Sequence, residues 1–513
     1  MREAPLGLIF DRAVRYARSH LWTLALGAAI VLATGLRLHG LTRHPFWLDE
    51  AYSVTVARQP LWAIAPSLAD ESGPPLYYLL LHGWIKLLGE GQAAGRLLSV
   101  LCGVLLVPAT ARLARRVAGE RGGLAAAFLM AATPMAVQFS QEARMYTLLP
   151  LLTVLAGERL LVWLQDGMRG ALLAHALLLA AIFYTHNWGL LVLPAAGAVA
   201  LLYPGERIRG WLIAASLALL LYAPWVPVLV TQVRDPSYQF IRMIQTIPWW
   251  QLPLRSLLIF AVGVGDIGGQ ATTLVPAPAS YLFAGWFLWL LVAPILSGVG
   301  RRESLALLLY TAVPPVGAAL FTALARPIYL LGRYEILILP VAIAAAGVAV
   351  AKMFRGRRLS LLVAIWVLAL AGLSVRYTAG VHRRFPEPIM TGVLAPNLRP
   401  GDHIVFCGLY RAAMEYHLRQ RGATFEPASF PAEAANHLGW YYESLYRPDA
   451  PALMTEASAQ CPQPGSRTWV VATSGATCGV LIDTLRTCSS LSSPFLNLGV
   501  PANQVLLAEP RVN

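Results

Sequence analysis

Two short stretches put acidic side chains into apolar surroundings. In RHPFWLDEAYSV, residues 43–54, the adjacent carboxylates Asp49 and Glu50 follow Pro45, Phe46, Trp47 and Leu48 and precede Ala51 and Tyr52. In FSQEARMYTLL, residues 139–149, Glu142 and Arg144 interrupt a second apolar run. A solvated loop pair or a snorkelling pair is the plain reading of each taken alone. The aromatic neighbours of Asp49 weaken that reading, because they draw the carboxylates toward an apolar interface. Desolvation raises the pKa of a carboxylate and suits it to act as a general base. Metal ligation is not forced, since neither a DxD spacing nor a histidine cluster accompanies the acids.

Cationic and polar partners for such a base are few. Arg96 lies at the start of an apolar run, His186 and Asn187 divide two short ones in FYTHNWGLL, and Arg326 and Arg333 bracket RPIYLLGRYEILILP. A lone cation at the headgroup level is commonly a snorkelling anchor, the reading that suits Arg326. His186 reads equally well as a polar turn. Arg333, followed by Tyr334, is the better anion ligand because a guanidinium grips a phosphate bidentately. Together these parts suit transfer from a lipid phosphate to a hydroxyl: cations stabilise the departing phosphate and a carboxylate takes the hydroxyl proton.

The elements that must hold these residues are membrane spans. Of 513 residues, 57% are hydrophobic and 13% charged, against about a quarter charged in soluble domains. Runs long enough to cross a bilayer fall at about 20–41, 93–114, 122–139, 146–164, 170–186, 188–204, 209–230, 279–299, 304–324, 335–352 and 359–376. The pattern predicts a polytopic α-helical membrane protein of about 11 transmembrane helices. The net charge of +14 sits largely in short loops rather than in a nucleic-acid-binding patch. Arg2, Arg12, Arg15 and Arg18; Arg112, Arg115, Arg116 and Arg121; Arg207 and Arg209; Arg301 and Arg302; and Lys352, Arg355, Arg357 and Arg358 mark cytoplasmic ends. Residues 1–19 read as a cytoplasmic N-terminus without a cleavage site, so the first span is expected to be an uncleaved anchor. Residues 75–89, which include Tyr77, His82 and Lys86, are too short and polar for a span and suit an interfacial helix. Residues 249–265 are set aside on similar grounds.

This topology places five connections on the outer face: 42–91, about 138–146, the break at His186 and Asn187, 231 to about 278, and 325–334. Asp49, Glu142, Arg144 and Arg333 all fall there. Residues 377–513 join them as a soluble domain, expected to be α/β because GDHIVFCGLY and TWVVATSG have strand character and RAAMEYHLRQRG reads as a helix. Cys407, Cys461, Cys478 and Cys488 lie in that domain, where at least one disulfide among the last three is expected; Cys102 lies in a span. Trp440, Tyr441, Tyr442 and Tyr446 could stack on sugar rings or pack a core.

FWLDEAYS, then PPLYYLLLHGWIKLLGEGQAAGRLLSVLCG, SQEARMYTLL, YTHNWGLLVLP and GRYEILILP, in that order over about residues 20–350, resemble the bacterial family 39 glycosyltransferases. These belong to the GT-C superfamily, with the protein O-mannosyltransferases and aminoarabinose lipid A transferases. The resemblance implies a plasma-membrane hexosyl- or pentosyltransferase that moves a sugar from a polyprenyl-phosphate donor to a hydroxyl on the periplasmic or extracellular face. The acceptor would be a glycan, lipid or protein, and no nucleic-acid partner is implied. It implies Asp49 as base, with Glu50 beside it and Glu142 at the second acidic position. Arg333 and Tyr334, then Arg144, Arg96 and Lys86, become donor-phosphate ligands; His186, Asn187 and Tyr77 become substrate contacts. Glu142 stands where some relatives carry aspartate, so no obligatory metal or other cofactor is expected, although a divalent cation is compatible. The C-terminal domain is only loosely like the periplasmic domains of some members.

Two other readings compete. A lipid transporter or flippase is also polytopic, but would place ionisable groups near the midplane, often within inverted repeats. An anchored envelope-binding protein would leave the carboxylates at the membrane surface without a role.

Overall fold

The computed structural model describes residues 20–69, 73–234, 241, 246–266, 272–298, 300–354, 356–380, 387–408, 411–436, 450–472, 476–494 and 504–511. Arg2, Arg12, Arg15, Arg18 and Arg355, and the aromatics Trp440, Tyr441, Tyr442 and Tyr446, lie outside the described residues. The chain falls into two compact units. The first gathers the described residues within Met1–Leu41, Arg96–Val226 and Ile241–Val381; the second gathers those within Thr42–Gly95, Pro227–Phe240 and His382–Asn513.

The first unit is a helical membrane bundle. Among the described residues, 8 helical elements are long and apolar enough to cross a bilayer, against the 11 expected from the sequence. Two reasons account for the difference. Gln92–Ala132 counts as one 41-residue element although it joins two helices across a kink at Ala118 and Gly119, where the backbone is non-helical and Gly119 takes φ +67°. Arg169–Phe183 and Asn187–Ala200 are each shorter than 18 residues because the chain breaks between them. Leu76–Leu88 has 13 residues, well short of the roughly 20 needed to span. Leu252–Val262 has 11.

Helix placement follows side-chain size and polarity. Leu339–Met353 is buried along most of its length. A Cβ added to its Gly347 would stand 2.7 Å from the backbone nitrogen of Ala126, so glycine lets two helices approach backbone to backbone, as small residues do in bilayers. Leu21–Leu38 and Glu206–Tyr222 instead turn large apolar groups such as Val31 and Leu220 outward, which suits lipid but not water. Buried at the end of the first helix, Arg37 donates to the carbonyls of Ala131 (2.9 Å), Ala33 (3.2 Å) and Met130 (3.3 Å) and to Ser140 Oγ (3.1 Å). Beside it, Gln141 Nε2 donates to the carbonyls of His39 (2.8 Å), Arg37 (3.1 Å) and Leu36 (3.4 Å). Apart from that of Ala33, these carbonyls lie at helix ends, where intrahelical donors run out, so the SQEAR turn is tied to Leu21–Leu38 by groups that need partners.

The bundle unit also holds a small antiparallel hairpin, β1 (Val264–Asp266) and β2 (Thr272–Thr273). The second unit contains a five-stranded sheet: β3 (His403–Cys407), β4 (Glu426–Phe430), β5 (Thr468–Ala472), β6 (Ser489–Ser492) and β7 (Gln504–Pro510), in the order β4-β3-β5-β7-β6. β3 pairs in parallel with β4 and β5, while β7 runs antiparallel to β5 and β6. Alternation along β3 and β5 builds two cores. Val405, Val470 and Ala472 pack with Leu481 and Leu485 on one face; Ile404, Phe406, Trp469 and Val471 pack with Met390, Met414 and Leu418 on the other. Helices thus cover both faces, as expected for parallel strands. The disulfide Cys407–Cys478 staples β3 to the helix Ala476–Cys488, and Cys461–Cys488 ties the end of that helix to the turn after the helix Ala450–Ala459. Cys102 is buried and free.

Candidate active site

In the second unit the acidic motif is helical. Leu48–Ala57 begins after Trp47 and carries Asp49 and Glu50 in its first turn, where negative charge complements the helix dipole. Glu50 is fully buried, and its carboxylate accepts from the Trp47 backbone N–H at 3.4 Å, closing the N-terminus of the helix. Asp49 is half-buried on the same turn. Ser53 Oγ donates to the Asp49 carbonyl at 2.8 Å.

Leu76–Leu88 packs beside this helix. Tyr52 meets the Tyr78 ring edge-on at 6.1 Å, Tyr78 meets Tyr77 at 5.9 Å, and His82 Nδ1 donates to the Ala57 carbonyl at 2.7 Å. Tyr77 therefore belongs to an aromatic group beside the motif helix, whereas Lys86 lies on the exposed face of its own helix. Phe46 is buried close above Gly95, where a Cβ would stand 2.8 Å from its ring.

In the first unit, the other predicted residues collect around Tyr146. The guanidinium of Arg144 lies 5.7 Å and that of Arg333 5.9 Å from its ring centre, within cation–π range. Tyr334 is 6.5 Å and His186 6.4 Å from the same ring, and His186 and Tyr334 are 4.8 Å apart. The charges of Arg144 and Arg333 both reach His186. Arg144, Arg333 and Tyr334 are half-buried, so they retain exposed surface for a ligand.

Local sequence explains how each is held. Arg144 belongs to a tight turn, its N–H donating to the Glu142 carbonyl at 2.8 Å and its own carbonyl accepting from Ser99 Oγ at 3.1 Å. Glu142 is buried in that turn. Arg96, one turn before Ser99 on Gln92–Ala132, is buried and donates to the Leu41 carbonyl at 2.6 Å. His186 Nδ1 accepts from the Trp188 N–H at 3.0 Å, so the neutral ring carries its hydrogen on Nε2. Asn187 opens the short helix Asn187–Leu191 and is half-buried.

Several positioning residues escape the motif reading. Glu335, fully buried, accepts from the N–H groups of Gly332 (2.7 Å) and Arg333 (3.0 Å) and from Ser256 Oγ (3.1 Å). It therefore closes the turn that presents Arg333, with Gly332 at φ +82°. Tyr146 is the aromatic hub and Arg37 and Gln141 anchor the neighbouring turn. Arg37 had a usable signal, an ionisable residue within an apolar run; Tyr146 had none beyond lying near Arg144. No group of three or more His, Cys, Asp or Glu side chains suited to a metal occurs among the described residues.

Comparison with known proteins gives the fold. The family described as Dolichyl-phosphate-mannose-protein mannosyltransferase matches residues 72–230. ArnT from Cupriavidus metallidurans in the apo state shares the fold, with a TM-score of 0.62 at 15% identity over 96% of this chain and 98% of that one. ArnT bound to undecaprenyl phosphate superposes equally well, with a TM-score of 0.62 at 15% identity over 95% and 98% of the two chains. The Archaeoglobus fulgidus oligosaccharyltransferase tethered with an acceptor peptide gives a TM-score of 0.50 at 13% identity over 80% of this chain and 64% of that one. No curated protein sequence matches. The chain thus has a multi-pass helical fold shared with ArnT, and residues 72–230 match the mannosyltransferase family model.

Proposed function

We propose that this protein transfers a sugar from a polyprenyl-phosphate donor to an acceptor hydroxyl, on the extracytoplasmic face of a bacterial plasma membrane. The observation that carries the reading is the convergence of Arg144 and Arg333, from separate turns, on Tyr146. Two guanidiniums on an aromatic face suit an anionic headgroup, because planar forks bind phosphate oxygens in pairs. The fold shared with ArnT bound to undecaprenyl phosphate supports a lipid-linked donor.

In the proposed reaction the acceptor oxygen bonds to the anomeric carbon as the bond from that carbon to the phosphate oxygen breaks, with inversion. The electron pair goes to the phosphate, whose added charge the arginines stabilise. The hydroxyl proton goes to Asp49, with Glu50 fixing the start of its helix. Tyr334 and His186 line the headgroup side; Glu142 shapes the Arg144 turn; Arg96 and Lys86 remain assigned to the donor phosphate, and Asn187 and Tyr77 to substrate contact. No obligatory metal is assigned.

The test uses full-length protein in lipid nanodiscs with a polyprenyl-phosphate sugar and an acceptor alcohol. Asp49→Asn and Asp49→Ala should each lower turnover by at least a hundredfold while the protein stays folded, a loss typical of removing a general base. Turnover near that of the unsubstituted protein would remove Asp49 from the base role, and retention at the anomeric carbon would remove the single displacement.

A further inference from the structure

The C-terminal part of the chain reaches the acidic motif. Arg411–Gln420, a helix flanking the sheet, packs on Leu48–Ala57. Its His417 places Nε2 3.0 Å from the Phe46 carbonyl. A carbonyl only accepts, so Nε2 carries the hydrogen and donates it. On the same turn the Tyr416 ring lies 5.0 Å from the Phe46 ring, and the Tyr416 hydroxyl donates to the Glu90 carbonyl at 3.0 Å. Glu90 in turn pairs with Arg58 at 3.0 Å. One turn of the C-terminal helix therefore holds the chain on both sides of the segment that carries Asp49 and Glu50.

The bond to Phe46 has a specific consequence. A peptide unit is planar, so the Phe46 carbonyl and the Trp47 N–H turn together. His417 grips the carbonyl side of that plane, and Glu50 accepts from its N–H side at 3.4 Å. Turning the plane to release one partner disturbs the other. The Glu50 charge reaches the imidazole across the same contact, and burial keeps the His417 ring below its ordinary pKa, favouring the neutral form.

We propose that His417 is a positioning residue for the proposed transfer: by holding the Phe46–Trp47 peptide plane from the C-terminal domain, it sets the orientation of the helix turn bearing Asp49 and Glu50. The proposal rests on the reading of that turn as catalytic. It makes docking of the C-terminal domain a requirement for turnover rather than an accessory.

The test compares His417→Leu with His417→Gln, whose side-chain amide can still donate to the Phe46 carbonyl, in the full chain. Two measurements are made: hydrogen exchange of the backbone amides of residues 47–51, and steady-state sugar transfer. In the leucine variant exchange should rise about fivefold or more and kcat should fall about five- to tenfold, as for loss of one buried hydrogen bond, with donor KM unchanged. The glutamine variant should restore both. Unchanged exchange with leucine, unchanged kcat despite faster exchange, or no rescue by glutamine would each overturn the proposal. If leucine prevents folding, Tyr416→Phe, which removes only the hydroxyl grip on Glu90, is read by the same two criteria. Absence of transfer by the unsubstituted protein would defeat the glycosyl-transfer reading, while the exchange measurement would still decide whether His417 holds the turn.

Discussion

Glu387 opens the helix Glu387–Leu394 with its side chain 1% exposed. Burial pushes its carboxyl up to about 7 from the ordinary 4.5, opposed only by a bond from its own N–H. One of its oxygens has no hydrogen-bond partner among the described residues. The folded domain therefore keeps a proton that the unfolded chain has already released. The sign follows directly: stability is greatest below about pH 4.5, falls as pH rises toward about 7, and then levels off. Across that interval, at about 1.4 kcal/mol per pH unit, the loss is about 3 kcal/mol, on the order of a hundredfold in an opening equilibrium. Hydrogen exchange in the intact membrane protein reads this locally, because buried helices open as units. Amides of residues 390–394 should lose protection between pH 5 and pH 8, after correction for intrinsic exchange. Glu387→Gln should abolish most of that dependence and leave the helix better protected at pH 8. His417 acts in the opposite sense, since its buried ring favours the neutral form, but it is common to both proteins and cancels in their difference. An undiminished pH dependence in Glu387→Gln would refute the assignment of the cost to this carboxyl.

Two further substitutions probe the bundle. Arg333→Lys keeps a positive charge but loses the planar fork set on Tyr146; donor KM should rise about tenfold, equivalent to about 1.4 kcal/mol, and a donor titration matching the unsubstituted protein would remove Arg333 from phosphate binding. Gly103→Ala would drive a methyl group into Ser140 Oγ and to 3.0 Å from Arg37 Nε; overpacking of about 1–3 kcal/mol is expected, read as a lower thermal midpoint in detergent, and an unchanged midpoint would show that the Arg37–Ser140 contact is not tightly packed.

Much of the site could be read from residue type and order. Arg144, His186, Arg333 and Tyr334 stood out because polar groups are costly beside long apolar runs, and they gather around one ring. Tyr146 and Glu335 carried no such signal. Tyr146 looks like an ordinary interfacial aromatic, and its position as hub depends on turns more than 40 residues apart. Glu335 follows a conspicuous arginine two residues on, yet its role is to accept from two backbone N–H groups, which only the closed turn brings within reach. Arg96 likewise donates to the Leu41 carbonyl at 2.6 Å, a contact between residues 55 apart that its place in the sequence does not reveal.

The sequence by itself determined the membrane class, the α/β character of the C-terminal domain and the strands β3 and β5, because hydropathy and alternation are local properties that burial reads directly. The number of spans follows less directly, since Gln92–Ala132 joins two helices across a kink at Gly119 and the break before His186 leaves two helices shorter than 18 residues. Tertiary structure alone decided which of four cysteines pair, and that His417 and Tyr416 meet Phe46 across some 370 residues of sequence. Such contacts are chosen by how finished helices and strands pack, and composition and spacing carry no record of that choice.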